Sequence, residues 1–246
     1  MRTVDKFLAN LTFGIELEGG WNTVCDGYDP NYDSECEDDE NEDVDDTPCH
    51  IRKEDGSVSV RAEAHSGEIV SPVLHHRSLP AWIRNHYPDR VNSSCGLHVH
   101  MGNLPITTYS AMMHKGVFEE FCERLDAWGH SAHIRNEQFW ARLAGDNNYC
   151  RREYTANSQV YAIGHGGARY SILNYCWGDH QTLECRVLPM FKTATAATVA
   201  VQAVINILAG LAIRCAGSKA NRPQVLNYLE LVEDSVTATP DIHLEL

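Results

Sequence analysis

The 246-residue sequence lacks several patterns that would assign it to a common class of protein. Its nine cysteines include no CxxC pair, and their odd number argues against both a disulfide framework and a zinc–cysteine site. It has neither a GxxxxGK[ST] phosphate loop nor a strand-linked GxGxxG. No run of about 18 apolar residues occurs, and the N-terminus lacks the pattern of a signal peptide. We therefore expect a cytoplasmic protein with reduced thiols and no membrane association.

Basic residues are also scarce. The chain has 20 Lys and Arg against 34 Asp and Glu, and its formal net charge is −14. It has no basic stripe, so we expect no binding to nucleic acid. Much of the charge lies in residues 33–46, DSECEDDENEDVDD, which contain no basic residue. This composition predicts a disordered, solvated insertion, and the stretch lacks the glycine and the ligand spacing of a calcium loop.

The sequence is long enough for one domain with a substantial core, which we take to be residues 1–246. Periodicity predicts strands at 11–18, 51–61, 66–73, 95–101, 169–176 and 181–188. It predicts helices at 78–86, 107–129, about 131–144, 194–216 and 221–231. This order indicates an α+β fold in which helices pack on one face of an antiparallel sheet. The other face would be free to carry chemistry.

The stretch CGLHVHM, residues 95–101, raises the question of a metal site. Successive side chains of a strand point to opposite faces, so His98 and His100 would share one face and the apolar residues the other. Taken alone, the stretch fits either a metal site or a half-exposed strand. The residues of the neighbouring strands distinguish these two interpretations.

Polar residues of the same restricted types fall on alternate positions of four predicted strands. They are Glu16 and Glu18, Glu68, His98 and His100, and Glu184 and Arg186. Carboxylates that lie close together repel one another unless cations lie between them. Carboxylate-rich sets with one imidazole suit Mg²⁺ or Mn²⁺, and an arginine beside them suits a phosphate or a carboxylate. The pattern predicts a divalent-metal site at which ATP phosphates are held through metal and arginine.

Several short motifs occur in an order that resembles the amidoligases, proposed carboxylate–amine ligases related to glutamine synthetase and glutamate–cysteine ligase. The motifs are FGIELE (13–18), KEDGS (53–57), GEIVSP (67–72), CGLHVHM (95–101), NNYCR (147–151), RYSILNY (169–175) and TLECR (182–186). The resemblance spans about residues 11–190. It implies a curved antiparallel half-barrel with helices on its outer face. It also implies a reaction in which ATP phosphorylates a carboxylate and an amine attacks the acyl phosphate to form an amide.

The resemblance also implies roles for individual residues. Glu16, His98 and Glu184 would hold the metal bound to ATP, and Glu18 and Glu68 would hold a second metal. Catalytic roles would fall to Arg186, Glu184 and Asp55. Arg186 would contact the transferring phosphate, and Asp55, with Glu63 as the alternative, would contact metal or substrate. Further nucleotide or substrate contacts would come from Arg151, Arg169, Asn174, Tyr170 and His100.

Two other functions stay open at this point. A transition-metal hydrolase or oxygenase could use His98, His100 and one glutamate, although such a site does not need so many carboxylates. A non-catalytic relative could bind a nucleotide or a peptide. For the ligase, the partners would be a carboxylate and an amine, which could belong to an amino acid, a peptide or a protein.

Overall fold

The computed structural model describes residues 9–22, 51–53, 56–62, 65–154 and 170–216. The acidic stretch 33–46 and the predicted helix 221–231 lie outside these residues, as do Asp55, Glu63 and Arg169. Six cysteines are described, and none of them forms a disulfide bond.

A six-stranded antiparallel sheet forms the frame of the described structure. Its strands are β1 (Thr12–Trp21), β2 (Ile51–Lys53), β3 (His65–Val70), β4 (Gly96–Gly102), β5 (Leu173–Cys176) and β6 (Thr182–Pro189). They lie in the order β2-β3-β1-β4-β6-β5, and every pair is antiparallel. Among the described residues β2 and β5 are edge strands, so the sheet is open rather than closed into a barrel. The predicted α+β class with an antiparallel sheet is confirmed.

The described structure also contains six helices. They are α1 (Leu79–His86), α2 (Ile106–Met112), α3 (Lys115–Ser131), α4 (Glu137–Ala144), the short α5 (Trp177–His180) and α6 (Ala194–Cys215). The central helix α6 contacts β4 and β6, and α1, α2 and α3 pack against α6. Ile15, Leu17 and Val99 lie on the apolar face of the sheet and are fully buried. The strands therefore bury their apolar residues and leave the Glu, His and Arg positions on the opposite face.

The helix α6 is long and apolar enough to cross a membrane by length and composition, with a mean hydropathy of 2.0 in its most apolar window. The sequence does not predict it as a span, because α6 is not an uninterrupted run of about 18 apolar residues. In the structure 78% of that window is buried against the rest of the protein. A core helix passes the same test, so this finding is weak evidence for a membrane span.

The single helix predicted over 107–129 is wrong, because the chain forms α2 and α3 with a break at Met113 and His114. His114 has an extended backbone, with ψ of 136°, and its Nδ1 accepts a hydrogen bond from the Gly116 amide. The helix predicted from about 131 begins only at Glu137. There the Asn136 side chain caps the helix by accepting from the Gln138 and Phe139 amides at 2.9 and 3.2 Å.

Several further element boundaries differ from the prediction. β1 continues to Trp21 rather than ending at 18, and β3 ends at Val70 rather than at 73. The strand predicted over 51–61 ends at Lys53, and Gly56 and Ser57 form a turn. The strand predicted over 169–176 begins only at Leu173. Residues 177–180, between the strands predicted at 169–176 and 181–188, form the single-turn helix α5. These differences leave the sheet order unchanged.

Candidate metal centre

Strand register brings the polar positions of four strands together. Glu16 of β1 lies opposite His98 of β4, and Glu18 lies opposite Glu68 of β3. In the next pair outward, His100 lies opposite Glu184 of β6. Since each strand alternates its side chains, these residues project from one face of the sheet into a shared cluster.

Glu16 is the residue that both histidines contact. His98 Nδ1 lies 2.7 Å from Glu16 Oε2, and His100 Nε2 lies 3.0 Å from Glu16 Oε1. Burial raises the pKa of Glu16, but the hydrogen bonds and charges of His100 and His98 outweigh burial and hold the pKa well below its ordinary value. Burial lowers the pKa of His100, but the hydrogen bond and charge of Glu16 outweigh it and raise the pKa.

Glu184 is held through both of its carboxylate oxygens. Arg186 Nη1 donates to Oε1, and Asn174 Nδ2 donates to Oε2 at 2.8 Å. Asn174 lies opposite Glu184 in the β5–β6 pair, which places its amide beside this carboxylate. Burial raises the pKa of Glu184, but the charges of Arg186 and His100 lower it below its ordinary value. Asn174, predicted as a nucleotide contact, is thus hydrogen-bonded to a candidate metal ligand.

The pairing of β4 with β6 is irregular beside Arg186. Between Leu97 and Val99 the partner residues in β6 run from Leu188 to Cys185, so β6 advances three residues while β4 advances two. Such a bulge bends the strand and redirects the side chains beside it. The Arg186 amide donates to Ile172 at 3.0 Å, which ties the bulged strand to the segment leading into β5.

Glu18 and Glu68 occupy the other side of the cluster. The Gly96 amide donates to Glu18 Oε2, and Glu18 Oε1 lies 3.5 Å from His98 Nε2. Glu18 is buried and Glu68 is half-buried. His98, at 2% exposed, thus lies between the carboxylates of Glu16 and Glu18.

Two sets of side chains have the spacing of a metal site. The first is Glu16, Glu68 and His98, and the second is Glu16, His100 and Glu184. Within each set the potential ligand atoms lie within 4.8 Å of one another. The sets share Glu16 and group the ligands differently from the resemblance, which joined Glu16, His98 and Glu184 and assigned Glu18 to a second metal. The structure nevertheless brings that predicted trio together, since His98 Nδ1 lies 2.7 Å from Glu16 Oε2 and 3.6 Å from Glu184 Oε1. Each set has two carboxylates and one imidazole, a combination that suits hard divalent cations.

A cavity of about 190 Å³ lies beside this cluster. The described residues that line it are Glu18, Ser57, Ser94, His98, Arg142, Tyr149, Tyr170 and Arg186. Tyr170, predicted as a substrate contact, is among them. Arg151 is exposed, and its guanidinium lies 5.9 Å from the centre of the Tyr170 ring rather than in the cavity lining.

Among the described residues that line the cavity, Arg142 is the charged residue that the sequence analysis missed. It projects from α4 and is only 1% exposed. Its Nη2 donates to the Cys95 carbonyl at 3.2 Å, and its Nη1 donates to the Arg186 carbonyl at 3.3 Å. One signal could have identified it: Arg142 lies between Phe139 and Leu143 on the buried face of α4, a position where arginine is rare.

Comparison with known protein families, with curated proteins and with solved structures finds no match to this chain. The resemblance to the amidoligases therefore rests on the short motifs alone.

Proposed function

We propose that the chain is an ATP-dependent carboxylate–amine ligase that uses Mg²⁺ or Mn²⁺ and forms an amide or isopeptide bond through an acyl phosphate. The observation that supports this proposal is the pair of three-ligand sets sharing Glu16, with Arg186 bonded to Glu184 beside them. The motif order and the open antiparallel sheet agree with it. A glutamine-synthetase-like half-barrel remains part of the proposal.

The donor set fits hard divalent ions better than a transition metal. An HxH site of the hydrolase or oxygenase type would take both His98 and His100 with one carboxylate. In the described residues each histidine instead belongs to a different set, together with two carboxylates. This separation favours the ligase over the transition-metal enzyme.

The two ligand sets, Asn174 and Arg186 would have different roles in the reaction. Divalent ions bound at the two sets would neutralise the carboxylates and polarise phosphate oxygens. Asn174 and Arg186 fix both oxygens of Glu184, so this ligand would need little rearrangement on binding. Arg186, which is always protonated, carries a positive charge that stabilises negative charge on a transferring phosphoryl group.

The proposal is tested by trapping the acyl phosphate. The full chain is incubated with ATP, Mg²⁺ and hydroxylamine across a panel of carboxylates, and hydroxamate and ADP are measured. We expect both products with the correct acid, and loss of both in Glu184→Gln. Glu119→Gln is the matched control, because Glu119 is exposed on α3 and its only described ion pair is with Lys115.

Other outcomes would contradict the ligase. Absence of ATP-dependent product with every acid and amine would refute it, as would turnover that does not need nucleotide. Tightly bound iron or zinc in the purified protein would support the transition-metal enzyme instead. Binding of ATP and Mg²⁺ without turnover, unchanged in Glu184→Gln, would indicate a non-catalytic relative.

A further inference from the structure

Exposed arginines lie on the solvent side of α1 and in the segment that follows this helix. Arg77 and Arg84 are seven positions apart, and Ser78, which precedes α1, already has helical backbone angles. This spacing places both arginines on one side of the helix, and both are exposed. Arg90, four residues after the end of α1, is exposed as well. We call Arg77, Arg84 and Arg90 the basic surface.

The positive charge of the basic surface is not paired within the part of the chain that the structure describes. Arg84 Nε and Arg90 Nη1 donate to backbone carbonyls, at 3.1 and 3.4 Å. None of the three arginines forms an ion pair with a described carboxylate, whereas Arg214 of α6 pairs with a glutamate. Residues 71–94 contain a single acidic residue, Asp89, whose Oδ2 already accepts from a backbone amide at 2.7 Å.

Two histidines add to this concentration of positive charge. His75 and His76 come directly before Arg77. Burial lowers the pKa of His76, and the charges of Arg77 and His75 lower it further. Like charges that lie close together repel one another, so an anion bound at this surface would reduce the repulsion.

The sequence contains a stretch whose charge is opposite to that of the basic surface. Residues 33–46 contain ten acidic residues and no basic one. They belong to residues 23–50, which begin directly after Asn22. The Asn22 amide donates to Asp89 at 2.7 Å, so this stretch begins beside Arg90.

The other end of residues 23–50 meets the chain that leads to Arg77. Ile51 lies opposite Val70 in the β2–β3 pair, and Val70 precedes Arg77 by seven residues. Along β3, from the partner of Trp21 to Val70, the strand rises about 17 Å at ~3.4 Å per residue. A stretch of 28 residues is several times longer than this distance when extended. Its acidic part is therefore able to reach α1 from both anchors.

The tether favours this stretch over an acidic partner from solution. A ligand tethered to its binding site acts at an effective concentration set by the length of the linker, in the millimolar range for short flexible linkers. We propose that residues 33–46 bind to the basic surface through contacts between their carboxylates and Arg77, Arg84 and Arg90. This inference is independent of the proposed function, because the basic surface includes none of the candidate metal ligands.

A peptide tests whether the basic surface is occupied. A peptide with the sequence of residues 33–46 and an N-terminal fluorescein is titrated with the full chain at low ionic strength, and its anisotropy is measured. The wild-type chain is compared with a neutralised variant, in which the Asp and Glu residues at 33–46 are replaced by Asn and Gln. We expect the neutralised variant to bind the peptide at least about 10-fold more tightly, because its own stretch no longer competes. The Debye length falls from about 10 Å at 0.1 M salt to about 3 Å at 1 M, so added salt should weaken the binding.

Charge reversal locates the binding site. In the neutralised variant, Arg77→Glu combined with Arg84→Glu should abolish peptide binding. Arg135→Glu combined with Arg152→Glu is the matched control, because it changes the net charge equally at exposed arginines outside the basic surface. The control should retain most of the binding. Circular dichroism checks that each variant folds, and if the Arg77 and Arg84 variant does not, the comparison of the wild-type chain with the neutralised variant decides alone.

Four results would overturn the proposal. Failure of the neutralised variant to bind the peptide would show that the surface does not recognise this stretch. Equal affinity in the wild-type and neutralised chains would show that the surface is open to an acidic partner instead. Equal loss of binding in the two charge-reversed variants would show that only net charge matters. A salt-sensitive dimer in light scattering, present in the wild-type chain and absent from the neutralised variant, would show that the stretch binds a second copy.

Discussion

His98 and His100 lie two positions apart on β4, yet their surroundings differ. His98 lies between the carboxylates of Glu16 and Glu18, whereas His100 contacts Glu16 with one nitrogen and the Thr182 hydroxyl, at 3.1 Å, with the other. Each belongs to a different three-ligand set, and both sets include Glu16. A change at either histidine should therefore affect one ion, and a change at Glu16 should affect both.

This gives a prediction at the scale of single residues. We expect two Mn²⁺ ions in the wild-type protein, one in His98→Ala and one in His100→Ala, and none held tightly in Glu16→Gln. Titration with Mn²⁺ followed by electron paramagnetic resonance measures the stoichiometry. His133→Ala, at an exposed position, is the control. Loss of all metal in both single histidine variants would support one shared HxH site instead.

Asn174 provides a second test at this scale. Its amide donates to Glu184 Oε2 at 2.8 Å, and partners that orient metal ligands typically contribute 10–100-fold to affinity. We expect Asn174→Ala to weaken Mn²⁺ binding by about 10-fold and Asn174→Asp to weaken it further, because a second carboxylate would repel Glu184. Asn85→Ala on the exposed side of α1 is the matched control. Equal affinities in all four proteins would exclude an orienting role for Asn174.

Strand alternation explains which site residues the sequence could reveal. Glu16, His98 and Glu184 stand on alternate positions of strands whose other face is apolar, so the sequence alone predicts that they share one face of the sheet. Arg142 lies on a helix, and its approach to the cavity depends on how α4 meets the end of β6. Asn174 was identified, but its bond to Glu184 depends on the β5–β6 register.

At the scale of elements, side-chain caps rather than apolar periodicity set where α3 and α4 begin. Apolar residues continue with helical spacing through the junction of α2 and α3, so the pattern predicts one helix. The break at His114 arises from its extended backbone and from the bond between its Nδ1 and the Gly116 amide. The start of α4 depends likewise on the Asn136 side chain. Both caps are hydrogen bonds that a side chain accepts from backbone amides, and neither changes the spacing of the apolar residues in the sequence.

A prediction at this scale concerns the contact between α3 and α6. Glu120 of α3 accepts from Arg124 Nε at 3.0 Å and from Arg214 of α6. Burial raises the pKa of Glu120, but the hydrogen bonds and charges of Arg214 and Arg124 outweigh it and lower the pKa. A lowered carboxyl pKa in the folded state stabilises the fold above the ordinary pKa, and this stabilisation is lost as the pH falls through the lowered value.

We therefore expect Glu120→Gln to lower the free energy of unfolding by about 0.5–1 kcal/mol at pH 7. The estimate is small because the Glu120 side chain is 26% exposed and water screens the pairs. The difference should vanish near the acid end of the titration. Urea unfolding at neutral and acid pH measures it, with Glu119→Gln as the control. A difference that is independent of pH would show that packing rather than charge is responsible.

At the scale of the whole molecule, stability and the candidate site oppose each other. The apolar face of the sheet is covered by α6, whereas the polar face holds four carboxylates, Glu16, Glu18, Glu68 and Glu184, close together. Histidines and arginines balance part of this charge, and bound cations would balance more. Binding to the folded state alone stabilises it by mass action, by about 2.7 kcal/mol when the ligand is at 100 times its Kd.

For a chain of this length about 1 kcal/mol shifts the Tm by roughly 2–4 °C. We therefore expect saturating Mg²⁺ or Mn²⁺ to raise the Tm of the metal-free protein by about 5–10 °C, and EDTA to reverse the rise. In Glu16→Gln the rise should be absent, because both sets lose their common ligand, while the metal-free protein should unfold at a lower temperature, since the negative charge that His98 and His100 contact has been removed. Differential scanning calorimetry measures both quantities. A Tm that does not respond to metal in the wild-type protein would show that the cluster is satisfied by its own histidines and arginines, and that the polar face of the sheet is not a metal centre.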